Sequence, residues 1–181
     1  MKSAEQDAIV LYTVLALKNE GSWTGETHVQ KALYLCQELT HIPSAFKFIL
    51  YKHGPYSFEL SAHLQELISD DLVCVQSRPP YGATLGVSHE GRHAAERIDD
   101  NRDIFKKVSF IAKKLGNKGV SDLEKLATAV YVIRKYGTNN PMDKRVEILT
   151  SIKPHVPPEA ARKAFEDADA IELEARSTLI Q

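Results

Sequence analysis

Phe48-Ile49-Leu50-Tyr51-Lys52-His53-Gly54-Pro55-Tyr56-Ser57-Phe58-Glu59-Leu60 joins a strand-like apolar run to a capped helix through a glycine-proline corner. Gly54 can take a positive φ, Pro55 fixes its own φ near helical values, and Ser57 can accept a hydrogen bond from the first free amides of a helix. The stretch therefore predicts a strand over 46–51, a sharp corner, and a helix from about Ser57 to Asp70. Leu60, Leu64, Leu67 and Ile68 face inward on that helix.

Two helices are predicted before the corner. Ser3 with Gln6 reads as a capping box, and Ala8, Leu11, Tyr12 and Leu15 recur at helical spacing up to Asn19. Thr27 with Gln30 repeats the box, and Val29, Ala32, Leu33, Cys36 and Leu39 form one apolar face before Pro43. After the corner helix, Leu72–Gln76 and Ala83–Val87 flank a turn-rich Ser77–Gly82, which predicts a hairpin with a long tip. Ser88 can cap a further helix through Ile98. The order helix, helix, strand, helix, hairpin, helix is that of a winged helix, with the hairpin as wing. Beyond a polar hinge at Asp99–Asp103 the chain reads as helical: Ile104–Leu115, a helix led by a Ser121 and Glu124 capping box to Tyr136, then Met142–Ile152 and Glu159 to about Leu179. The expected fold is mainly α (α+β), with a winged-helix domain over 1–98 and a helical C-terminal region over 99–181.

At 181 residues, with 43% hydrophobic and 26% charged, the chain can bury a real core. Lys plus Arg at 23 against Asp plus Glu at 24 leaves no global field to recruit nucleic acid or anionic membrane, so any such binding needs a local patch. No apolar run near 20 residues and no basic-then-apolar leader is present, which points to a cytoplasmic protein with no membrane span. Cys36 and Cys74 lack the spacing of a redox pair or zinc knuckle and read as buried free thiols.

Val29-Gln30-Lys31-Ala32-Leu33-Tyr34-Leu35, followed by Tyr51-Lys52-His53-Gly54-Pro55-Tyr56-Ser57 and a hairpin, resembles the bacterial YwgA-like family. The same words are similar, over residues 27 to 75, to the SocA-like antitoxins with the Panacea domain, which share a "QKL-Y" helix and a "K-x-G-P" corner. Leu123–Thr128 and Ile152-Lys153-Pro154 extend the YwgA-like resemblance into the helical tail. Ala32 and His53 depart from the common pattern. The resemblance implies an antitoxin-like or phage-defence setting and transfers no catalytic residues.

Charge argues against the corner helix reading DNA. It contains no Lys or Arg, and Glu59, His63, Glu66 and Asp70 are read as its outward residues, where acids would repel phosphates. Residues 1–91 carry a net charge of minus four, and residues 92–118 plus four. The basic segment reads as a solvated helix face, or as a patch for an acidic protein surface or a nucleic-acid backbone. His89-Glu90-Gly91-Arg92-His93 matches H-E-x-x-H, in which two histidines one turn apart bind zinc and the glutamate activates water. No histidine follows at metzincin spacing, and Gly91 with Arg92 suits the first turn after a wing better than a ligand helix, so no metal is expected. The remaining histidines scatter, and no nucleophile triad or phosphate loop can be assembled.

The resulting expectation is a non-enzymatic protein without cofactor that binds a protein partner, a toxin or effector. The partner surface is expected at Lys52, His53, Tyr56, Glu59, His63 and Glu66, with Arg78, Pro80 and Tyr81 at the stiff wing tip. The alternative is a DNA-binding regulator using Arg78, Arg92, Arg97, Lys106, Lys107, Lys113 and Lys114 on phosphates. The sequence leaves open whether the chain forms a homo-oligomer.

Overall fold

A computed structural model describes residues 4–96 and 102–179, and of Tyr81 the backbone only. Among the described residues the chain is mainly helical, with eight helices and two separate two-stranded antiparallel sheets. The elements run α1 (Ala4–Asn19), α2 (Glu26–Thr40), β1 (Ile49–Tyr51), β2 (Gly54–Tyr56), α3 (Phe58–Ser69), β3 (Val73–Arg78), β4 (Tyr81–Val87), α4 (His89–Glu96), α5 (Arg102–Leu115), α6 (Val120–Tyr136), α7 (Met142–Ile152) and α8 (Pro158–Leu179).

Three helices are apolar on more than one face and therefore lie inside. In α1, Ala8 through Leu11 are buried consecutively; in α2 burial runs unbroken from His28 to Cys36; in α6 it spans Leu126 to Val130. Helices α5, α7 and α8 carry single apolar stripes and pack around them. Helix α2 touches α1, α3, α5, α6, α8 and β2, and α1 packs against α4, α5 and β4. One hydrophobic core thus joins Ile9 and Leu33 to Ile111, Val130 and Phe165. The hinge placed at Asp99 lies largely outside the described residues; the segments on either side of it share that core.

The corner differs from its expected form. Gly54-Pro55-Tyr56 is itself a strand, doubling back on β1 with Ile49 opposite Tyr56, Leu50 opposite Pro55 and Tyr51 opposite Gly54. Lys52 and His53 form the turn, and Gly54 takes φ +84°. The chain enters α3 from this hairpin, and Ser57 caps it by accepting from Leu60 N at 3.2 Å, as expected. The β3–β4 hairpin pairs Val73 with Val87 through Arg78 with Tyr81, so its tip narrows to Pro79 and Pro80. Ser88 caps α4 through Gly91 N at 2.9 Å.

Two capping boxes do not form. Helix α2 starts after Gly25 and α6 after Gly119, each with no side-chain cap, because Gln30 and Glu124 are drawn into the interior instead. The Ser3 box lies outside the described residues. Cys36 is buried and burial pushes its thiol pKa up, but Cys74 is exposed on β3, which has only Val73 facing the core.

Candidate partner surface at the glycine-proline corner

The corner is held from beneath by side chains of α2. The Gln30 amide clamps Ser57, accepting from its N–H at 2.9 Å and donating to its carbonyl at 2.9 Å. Lys31, only 1% exposed, donates from Nζ to the Pro55 carbonyl at 2.8 Å. Tyr34, one turn on, meets Phe48 edge-on at 5.2 Å. The neighbouring words Gln30-Lys31 and Gly54-Pro55 are therefore two halves of one contact: a strand that pairs on one edge only must find other donors for its carbonyls, and α2 supplies them.

The C-terminal helices hold the other side. Lys153, buried between α7 and α8, donates to the carbonyls of Tyr51, at 3.2 Å, and Lys52. Its ammonium also stands 2.8 Å from Glu124 Oε1 of α6. His53 and His155 approach the same carboxylate at 3.6 and 3.7 Å. Burial alone would raise the Glu124 pKa, but the Lys153 ammonium, with His155 and His53 beyond it, holds it below the ordinary value. Burial likewise lowers the Lys31 pKa from 10.5 to about 8, against the pull of Glu124 and with the push of Lys153. Thr128 Oγ1 is buried here with no hydrogen-bond partner among the described residues. It would lie 3.0 Å from a methyl added to Gly54, so position 54 needs glycine for space as well as for φ.

On the outer side the hairpin presents aromatic surface. Tyr51, Tyr56 and Phe58 touch one another with ring centroids 5.1 to 5.7 Å apart, and Tyr51 is 46% and Phe58 58% exposed. Ile49, also exposed, lies across from Tyr56 in the strand pair. Tyr56 is anchored by its hydroxyl, which donates to Glu26 at 3.0 Å. Single exposed apolar residues are ordinary on a surface, but three rings in mutual contact, two on a braced hairpin and the third at the start of α3, are not.

Of the residues expected at a partner surface, Tyr56 belongs to this cluster, and Lys52 and His53 form the turn of the same hairpin. Lys52 is exposed, and its backbone carbonyl takes the Lys153 contact. His53 is 69% exposed by side chain. Glu59 is exposed and accepts from Lys47 N at 3.2 Å. Glu66 is exposed too, 3.6 Å from His63. His63 is a correction: it is 1% exposed, with Nε2 2.9 Å from Asp7 of α1 and its ring 5.7 Å from that of Phe46. It follows Leu60 by three positions and precedes Leu67 by four, which puts it on the buried stripe. Arg78 and Pro80 form a second surface at the β3–β4 tip, where the Arg78 guanidinium lies 5.5 Å over the Trp23 ring. The Tyr81 side chain is outside the description.

The alternative phosphate-binding set is dispersed. Lys107 is paired with Asp103 at 2.6 Å and Lys114 with Glu174 at 2.6 Å; Arg92, Lys106 and Lys113 are exposed on α4 and α5, and Arg97 lies outside the described residues. In the H-E-x-x-H segment, His89 and His93 meet edge-on at 4.6 Å on an exposed face. Among the described residues no three His, Cys, Asp or Glu side chains are arranged to hold a metal. The glycine of that segment has a packing reason: a methyl at Gly91 would strike the Leu72 carbonyl and stand 2.7 Å from Val87 Cγ1.

Sequence reasoning missed Tyr51 and Phe58 as partners of Tyr56, and the internal Lys31, Glu124 and Lys153 set. The alternation of Tyr51, Tyr56 and Phe58 around the corner was the available signal for the first. Nothing local signals the second, whose members lie up to 122 positions apart. Comparison of the chain with family models, with curated proteins and with solved structures returns no match. No helix among the described residues is long and apolar enough to cross a membrane.

Proposed function

We propose that this chain is a cytoplasmic, non-enzymatic binding protein that docks a protein partner on the Tyr51, Tyr56 and Phe58 cluster. Its N-terminal portion is read as a winged helix, α1, α2 and α3 followed by the β3–β4 wing and α4. The setting is antitoxin-like or a regulatory role in phage defence, as the resemblance of the Gln30–Tyr34 and Lys52–Pro55 words implies. The observation that carries the reading is the contact of three aromatic rings on an outer face whose backbone is fixed by buried donors. Aromatic anchors on a rigid support lose little conformational entropy on binding and dominate interface energies. The acidic α3 beside them disfavours a phosphate backbone and favours a partner with basic groups around an apolar centre.

Site-specific photocrosslinking in the native host, with the crosslinker at position 51, tests this. One protein should be captured repeatedly, and Phe58→Ala should weaken the purified complex by about thirtyfold or more, the scale of an aromatic hot spot. A regulator acting through Arg78, Arg92, Lys106 and Lys113 would instead bind duplex DNA with a steep salt dependence, unaffected by Phe58→Ala. That result would replace the protein-docking reading.

A further inference from the structure

Among the described residues a broad concavity of about 690 Å³ lies away from the corner, between α1, α5 and the end of α8. Its floor is apolar: Tyr12 stacks on Phe105 with centroids 4.3 Å apart, and Phe110 and Leu179 continue the surface. The Tyr12 hydroxyl is satisfied by Ser109 at 2.8 Å, so the floor presents no unmet polar group there. Along one wall run Arg102, Lys106 and Lys113. These fall at i, i+4 and i+11 of α5 and so share one helix face, over about 16 Å of helix.

The two ends of that wall are not equivalent. Glu20 also lines the groove, and its carbonyl packs against Gly116, which puts this acid at the C-terminal end of α5 beside Lys113. Among the described lining residues, positive charge without an adjacent acid is thus concentrated at Arg102 and Lys106. Two further cations of α5 are already taken, Lys107 by Asp103 and Lys114, whose ammonium lies 5.4 Å from the Phe110 ring centroid, by Glu174.

We propose that this groove binds a free single-chain amphiphile with an anionic head. Its carboxylate or phosphate sits at Arg102 and Lys106, and its hydrocarbon chain lies over Phe105, Phe110 and Tyr12 towards the Glu20 end. The groove is wide and open to solvent, so a bound chain would lie along it rather than inside a closed cavity. Along the middle of α5, from Lys106 to Phe110, the backbone groups are bonded within the helix, so an extended peptide would find no main-chain partners there, whereas a hydrocarbon chain requires none. A stacked nucleobase is disfavoured because Tyr12 and Phe105 already cover one another.

Calorimetric titration of the full chain with sodium laurate, below its micellar concentration, tests the proposal. One equivalent should bind, and Arg102→Glu with Lys106→Glu should weaken binding at least tenfold, while circular dichroism confirms an unchanged helical fold. Ser109→Trp, which fills the groove without altering charge, should abolish it. Dodecyltrimethylammonium, with the same chain and the opposite head, should bind at least tenfold more weakly than laurate. Equal binding of the two amphiphiles, no binding of laurate, or indifference to the charge reversals would overturn the proposal. So would charge-dependent binding of phosphatidylglycerol vesicles or a ten-nucleotide thymidine strand in place of laurate, which would assign the groove to a lipid surface or to nucleic acid.

Discussion

Lys31 is a cation buried where most proteins place an aliphatic residue, and its ammonium loses hydration for one carbonyl and a more distant carboxylate. Its folded pKa, about 8, lies below its ordinary value of 10.5. Between those values the unfolded chain binds more protons, so Lys31 contributes stability that grows as pH rises through this window. Below pH 8 the protein carries the full cost of the buried charge, about 3 kcal/mol at 1.36 kcal/mol per pKa unit. Lys31→Met removes the titrating group and leaves the Pro55 carbonyl unpaired. The stability advantage of wild type over Lys31→Met should therefore widen by up to about 3 kcal/mol from pH 8 to 10.5. Urea titrations at four pH values would measure it, and a constant difference would mean that Lys31 ionisation is not linked to folding. Glu124 is linked in the same direction at lower pH: held below its ordinary 4.5, its carboxylate contributes stability that is present above that value and is lost as pH falls through the depressed pKa.

At the scale of elements, close approach decides where substitution is tolerated. Helix α4 lies against the chain between α3 and β3, with Ser88 N donating to the Leu72 carbonyl at 3.0 Å and Gly91 passing over the same oxygen. Backbone cannot yield as a flexible side chain does, so Gly91→Ala should cost about 1–3 kcal/mol, despite the better helix propensity of alanine. Thermal melting would register this as a lowered Tm, and an unchanged or raised Tm would show that α4 can shift. The C-terminal end of α5, both ends of α7 and the start of α8 are legible because Gly116, Pro141, Pro154 and Pro158 bound their single apolar stripes. The two failed capping boxes show the limit of local words: Gln30 and Glu124 have the right spacing to cap, yet each meets a more distant partner, Ser57 and Lys153. His63 shows the same limit: its polarity suggests an outward position, yet it lies on the buried Leu60, Leu64 and Leu67 stripe. The three-residue strands β1 and β2 are too short for any periodicity to reveal, so the spacing of Tyr51, Tyr56 and Phe58 around the corner is the one sequence signal of the aromatic cluster.

For the whole molecule, the shared core matters more than the break in composition near residue 99. Helices α1 and α2 bury faces against α5, α6 and α8, and β2 packs on α6. A fragment ending at residue 98 would expose those faces and lose the Lys153 contacts, and should show no cooperative urea transition by circular dichroism. A sharp transition in that fragment would establish an independent N-terminal domain. The same contacts order events during synthesis. Tyr51 and its donor Lys153 are separated by 102 positions, so at about 5–20 residues per second the ribosome completes the hairpin's partner roughly 5–20 seconds after the hairpin itself. Until then the carbonyls of Tyr51 and Lys52 lack that donor and the aromatic face stands on an unbraced support. A nascent chain therefore acquires its rigid outer surface only once residues beyond Lys153 have left the exit tunnel.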